Sequence, residues 1–114
     1  MHEASIALSI LDIAEEHCRK AGFSTIQSIA VDIGSASGVL PDALAMAFDI
    51  AKTDTIARDA SLIISHIPLG GRCAECCRDF TTDDAFVLEC PNCGGRDFRF
   101  TCGRELEVRE IEVD

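Results

Sequence analysis

Residues 73–94 read Cys73-Ala-Glu-Cys76-Cys-Arg-Asp-Phe-Thr-Thr-Asp-Asp-Ala-Phe-Val-Leu-Glu-Cys90-Pro-Asn-Cys93-Gly94. Two C-x-x-C units stand thirteen residues apart. Two residues between thiolates let a tight turn present both sulfurs to one ion, and two such turns complete a tetrahedron. Pro91 and Gly94 suit such a knuckle, in which backbone amides turn toward the sulfurs. The spacing therefore predicts a tetracysteine site on Cys73, Cys76, Cys90 and Cys93. Cys77 follows Cys76 directly, but the symmetry of the spacing favours Cys76 as the ligand. With four protein ligands no position is left to activate water, so the metal is structural. Metal binding would supply folding energy on the order of 10 kcal/mol to a segment with little apolar surface of its own. Two disulfides are disfavoured in a reducing compartment, and a redox dithiol uses one C-x-x-C at a helix start rather than two. Sulfur ligation alone does not separate iron from zinc. Zinc is favoured because nothing else in the chain points to electron transfer.

Outward from this segment, Ser61-Leu-Ile-Ile-Ser-His-Ile67 reads as a strand ended by Pro68 and Gly70-Gly71. On the far side, Glu105–Val113 alternates charged and apolar residues. Its beat slips by one between Val108 and Ile111, which places a bulge or bend there. Ile26–Ile33 reads as a further strand, followed by a loop of small residues from Gly34 to Gly38. Pro41 suits the first turn of a helix whose stripe is Leu44, Ala47, Phe48 and Ala51. Residues 4–21 read as an amphipathic helix, with Ala7, Ile10, Leu11, Ala14 and Cys18 on one face and Gly22 as its stop. The expected class is α+β: a small sheet of about three strands packed with two helices, plus an inserted zinc lobe. The expected domains are residues 1–69 completed by strand 103–114, and the lobe at 70–102.

The chain has 114 residues, 47% of them apolar, with neither Trp nor Tyr, so Ile, Leu, Val, Ala and Phe must build its core. Its net charge of −10 and lack of a basic cluster argue against nucleic-acid partners and anionic membranes. No apolar run reaches the roughly 18 residues of a membrane helix. The start, Met-His-Glu with Asp12, Glu15 and Glu16 beyond it, does not read as a secretory signal. The expected compartment is the cytoplasm. No nucleophile–base pair, phosphate loop or open metal site is visible, so no catalytic residue is assigned and the chain is read as a non-enzyme.

His2 and Glu3 follow Met1. An α-amine, an imidazole and intervening backbone nitrogens form fused chelate rings that suit nickel(II) or copper(II), although a histidine there is usually just solvated. The order of features decides between these readings. Met1-His2-Glu3 opens a helix. Val31-Asp32-Ile33-Gly34 runs into Ser37-Gly38-Val39. Pro41 then begins a helix carrying Ala47-Phe48, the paired C-x-x-C follows, and Glu105-Leu106-Glu107-Val108 comes near the end. This order resembles the HypA/HybF nickel-insertion family over essentially the whole chain. The resemblance implies a nickel metallochaperone for nickel–iron hydrogenase maturation, with Ni(II) transported and Zn(II) structural. It implies His2 as the nickel ligand with Met1 and Glu3 as helpers, and Cys73, Cys76, Cys90 and Cys93 as zinc ligands. The implied partners are the GTPase HypB and the hydrogenase large-subunit precursor, with urease maturation proteins for some members. One departure stands out: Leu40 lies where many members carry an acid, and the nearest acid is Asp42. His17 and His66 read as structural or solvated, Cys18 as a core thiol, and Cys102 as unassigned. Two other classes stay in view: a zinc-ribbon interaction or regulatory module without nickel, and a rubredoxin-like electron carrier.

Overall fold

The computed structural model describes residues 3–114. In chain order the elements are α1 (Glu3–Lys20), β1 (Ile26–Gly34), α2 (Pro41–Ala51), β2 (Ser61–Ile67), β3 (Leu69–Cys73), β4 (Asp79–Thr82), β5 (Phe98–Cys102) and β6 (Leu106–Val113). Helix α1 buries Ile6, Ala7, Ile10, Leu11, Ala14 and Cys18, the stripe its 3.6-residue period predicts. It stops where Phe23 N–H donates to the Cys18 carbonyl and Gly22 N–H to Arg19, each at 3.0 Å, the crossed pair of a Schellman cap.

Two three-stranded sheets divide the strands. The first has the order β2-β1-β6. Strands β1 and β2 run parallel, a pairing that needs a crossover, and α2 provides it. Strand β6 closes the other side of β1 antiparallel. The expected slip in β6 is present: Ala30 pairs with Glu110 and Val31 with Val108, leaving Arg109 unopposed. The Arg109 guanidinium lies 3.6 Å from the Asp32 carboxylate and donates to the Ser65 hydroxyl at 3.3 Å. The main core gathers Ile26, Ile29, Val31 and Ile33 of β1 with the α1 stripe and with Leu44 and Phe48 of α2.

The second sheet, β4-β3-β5, is antiparallel throughout. Here the structure corrects the sequence reading. Gly70-Gly71 does not end a strand but lies inside β3, which begins immediately after Pro68. A side chain at Gly71 would strike the Phe80 ring and the Arg99 carbonyl, so the central strand must be bare at that point. The sequence reading gave this segment its cysteines but none of its three strands. The lobe's own core is small: Cys73, Phe80 and Cys90, with Cys76, Val87 and Phe98 against them. Phe98 meets Phe80 and Phe100 edge to face, each at 5.6 Å between centroids.

The two sheets lie along a molecule of 52 × 26 × 16 Å. The chain crosses between them twice, at Ile67–Leu69 and at Cys102–Leu106, and the turn after β1 clasps both crossings. Ser35 N–H donates to the Ile67 carbonyl at 2.9 Å, Ala36 N–H to Gly103 at 2.8 Å and Gly34 N–H to Glu105 at 2.7 Å. The approach is backbone on backbone, because a Cβ on Gly34 would overlap the Gly103 carbonyl.

Candidate metal centre

Cys73 is the last residue of β3, and Cys76 follows in the turn before β4. Cys90 and Cys93 sit in the connection between β4 and β5. The two turns are built alike. Cys73 N–H donates to the Arg78 carbonyl at 3.0 Å, and Cys90 N–H to Gly95 at 2.7 Å. Each turn places the residue after its second cysteine in the left-handed region: Gly94 at φ +76° and Cys77 at φ +59°. This geometry resolves the competition between Cys76 and Cys77. Cys77 is exposed and turns its thiol back toward the Ala74 carbonyl at 3.7 Å, whereas Cys76 joins the cluster.

The four sulfurs of Cys73, Cys76, Cys90 and Cys93 all lie within 4.8 Å of one another. Cys73 and Cys93 are 3.6 Å apart, Cys76 and Cys90 3.8 Å. A tetrahedron with zinc–sulfur bonds of about 2.3 Å has edges of about 3.8 Å, so the donor set fits zinc in both kind and spacing. Their acidities diverge. Burial pushes the Cys90 thiol up, but the Asn92 and Cys93 amides and the neighbouring Cys93 and Cys73 thiols outweigh it and hold it down at about 7. The Gly95 amide, 3.4 Å from its sulfur, lowers Cys93. Burial and the thiols of Cys73, Cys76 and Cys90 override that and push it up to about 12. Burial raises Cys76 as well. One thiolate is therefore easy to form and the last is very hard, the behaviour of a cradle that needs a cation to collect four negative sulfurs.

The remaining sequence candidates scatter. Cys18 is buried and offers its thiol to the Thr25 carbonyl at 3.8 Å. Cys102 offers its thiol to the Pro68 carbonyl at 3.5 Å. His17 is an exposed residue of α1 and His66 an exposed residue of β2; neither belongs to the cysteine cluster. Met1 and His2 lie outside the described residues. Glu3 begins α1, and the first turns of that helix, Ser5 and Ile6, share a groove with Leu106 and Glu107 at the start of β6. The N-terminal end of α1 thus sits at the end of the sheet where the two lobes join. Among the described residues, no helix is long and apolar enough to cross a membrane.

A small α+β protein whose second lobe is organised around a tetrathiolate cradle is the class these features define. Residues 1–113 match the family model described as hydrogenase/urease nickel incorporation, metallochaperone, hypA. The chain belongs to the HypA family. It is 36% identical to hydrogenase maturation factor HypA of Streptomyces avermitilis, over 97% of this chain and 86% of that one. It is 37% identical to the protein of the same name from Geobacter metallireducens over the full length of both. The solution structure of the Ni metallochaperone HypA from Helicobacter pylori is 25% identical, with a TM-score of 0.70 over 99% of this chain and 97% of that one.

Proposed function

We propose that this chain binds Ni(II) as cargo at its N-terminus and helps insert it into the nickel–iron hydrogenase large-subunit precursor, in the cytoplasm and together with the GTPase HypB. His2 is the principal nickel donor, with Met1 and Glu3 completing the chelate. Asp42, in the first turn of α2, is the nearest substitute for the acid that Leu40 displaces. Cys73, Cys76, Cys90 and Cys93 would hold one zinc ion, which would tie the two knuckles together and supply the folding energy of the lobe at 70–102. Residues 1–69 with strand 103–114 form the nickel-handling domain. Urease maturation is a second destination for the same cargo.

The observation that carries this reading is the extent of the family match, which spans residues 1–113 and so includes both the His2 segment and the cysteine lobe. A zinc-ribbon regulatory module would account for the lobe alone.

The test is calorimetric titration of nickel into untagged chain, with zinc quantified in parallel. His2→Ala, and extension ahead of Met1, should each abolish or sharply weaken nickel binding and leave zinc intact, because one removes the imidazole and the other converts the amine to an amide. His17→Ala and His66→Ala should bind as the native chain does. Native-strength nickel binding by both N-terminal variants would sink the assignment. A red, iron-loaded protein would instead support the rubredoxin-like reading.

A further inference from the structure

Helix α2 is apolar on two sides. Leu44 and Phe48 are fully buried in the main core that α2 shares with α1 and the sheet. Met46 and Ile50, one turn apart on the opposite side, are 68% and 72% exposed, and Leu40 just ahead of the helix is 65% exposed. Of the helix's eleven residues only Asp42 and Asp49 are charged. Helix α1 also exposes Leu8 and Ile13, but among Asp12, Glu16, Arg19 and Lys20, which make its outer side mainly charged. A helix packed on one side of a small domain needs one apolar stripe, and a second stripe belongs to a helix covered on both sides. Isolated exposed apolar residues need no explanation, but a helical row of them marks a contact surface.

We propose that the outer face of α2, formed by Met46 and Ile50, is a docking face for a partner protein that presents an amphipathic helix with lysine or arginine beside its apolar row. The charge on the page selects this occupant. Helical spacing puts Asp42 and Asp49 together along one edge of the Met46–Ile50 row. The nearest helix cation, Lys52, is engaged by the Ala60 carbonyl at 2.8 Å and by Asp49 at 3.5 Å. A second copy of this chain would bring the same carboxylates against each other, on a molecule already at −10. A basic partner turns that repulsion into attraction. An apolar helix meeting i and i+4 residues is a recurring mode of recognition. This inference rests on neither the nickel nor the zinc assignment.

The experiment uses the full, zinc-loaded chain and a fluorescein-labelled amphipathic Leu/Lys helix as the probe, read by fluorescence anisotropy, with a Leu/Glu helix as its counterpart. Saturable one-to-one binding of the Leu/Lys helix is expected, with none of the Leu/Glu helix. The double variant Met46→Ser/Ile50→Ser should weaken it by about tenfold or more while keeping its far-ultraviolet circular dichroism. Phe86→Ser/Leu88→Ser, which removes exposed apolar residues of the other lobe, should bind as the native chain does. No saturable binding by the native chain overturns the proposal. Equal binding by the α2 variant does so too, because the attraction would then be general electrostatics. Sedimentation showing a native dimer that the α2 variant abolishes assigns the face to a second copy, and likewise overturns it.

Discussion

Cys77 holds a left-handed backbone, φ +59°, at the place where the second knuckle uses Gly94. A side chain there costs on the order of 1–2 kcal/mol relative to glycine, partly offset by the greater freedom glycine has when unfolded. Cys77→Gly should therefore raise the stability of the lobe by about 1 kcal/mol or less, with zinc still bound at one equivalent. Denaturant unfolding followed by zinc release measures both, and loss of zinc would make Cys77 a ligand. The same scale governs pH. Zinc needs thiolates, so its binding expels protons and acid competes with it. In the metal-free cradle Cys90, held down at about 7, is the easiest thiolate to form, whereas bound zinc keeps all four sulfurs deprotonated well below that pH. Zinc affinity should therefore fall steadily as the pH is lowered, because each thiol that must ionise releases its proton on binding, and competition with a chelator across pH would show it. An affinity that does not change with pH would contradict a cradle dependent on these thiolates.

Between elements, the decisive contact is the turn after β1 against the return from β5 to β6. Gly34 lies on the Gly103 backbone without room for a Cβ, and Gly103, at φ +109°, packs in turn on Leu69. Gly34→Ala must push the two crossings apart and strain or break the bonds of Gly34 to Glu105 and Ala36 to Gly103. Overpacking of this kind costs about 1–3 kcal/mol. The expected result is a urea midpoint lowered accordingly, with far-ultraviolet circular dichroism at zero urea nearly unchanged. An unaltered midpoint would mean that the junction yields without strain. This contact was not legible in the sequence. In the sequence Gly34 opens a loop of small residues and Gly103 heads the last strand segment, and only their meeting across sixty-nine positions gives them a task. The bulge at Arg109 was legible, because a slip in the two-residue beat must put an extra residue somewhere in the strand.

Across the whole molecule, two cores of unequal strength share one chain. The first unites two helices and a sheet, whereas the second has three buried residues, two of them cysteines of the cradle. Removing zinc with a chelator should therefore melt the second lobe and spare the first. Hydrogen exchange should show β3, β4 and β5 losing amide protection while β1, β2 and the inner face of α1 keep theirs. Simultaneous loss in both lobes would mean that the junction couples them into one cooperative unit, against the proposed division at 70–102.

The sequence by itself determined what depends on local spacing. The C-x-x-C pairs define a four-sulfur cradle because each turn closes within a few residues. The stripe of α1 follows from helical period, and its end from Gly22 and the bonds of one turn. The order of features from Met1 to Val108 placed the chain in its family. Tertiary structure decided what depends on distant partners. It set β1 parallel to β2, made a strand of Leu69–Cys73 by pressing Phe80 and Arg99 against a bare Gly71, and joined the lobes through Gly34 and Gly103. It also left Met46 and Ile50 facing outward. The stripe Leu44, Ala47, Phe48 and Ala51 was legible as the inner side of α2 and is the side the core covers, but that Met46 and Ile50 stay uncovered on the other side is decided only by what packs around the helix.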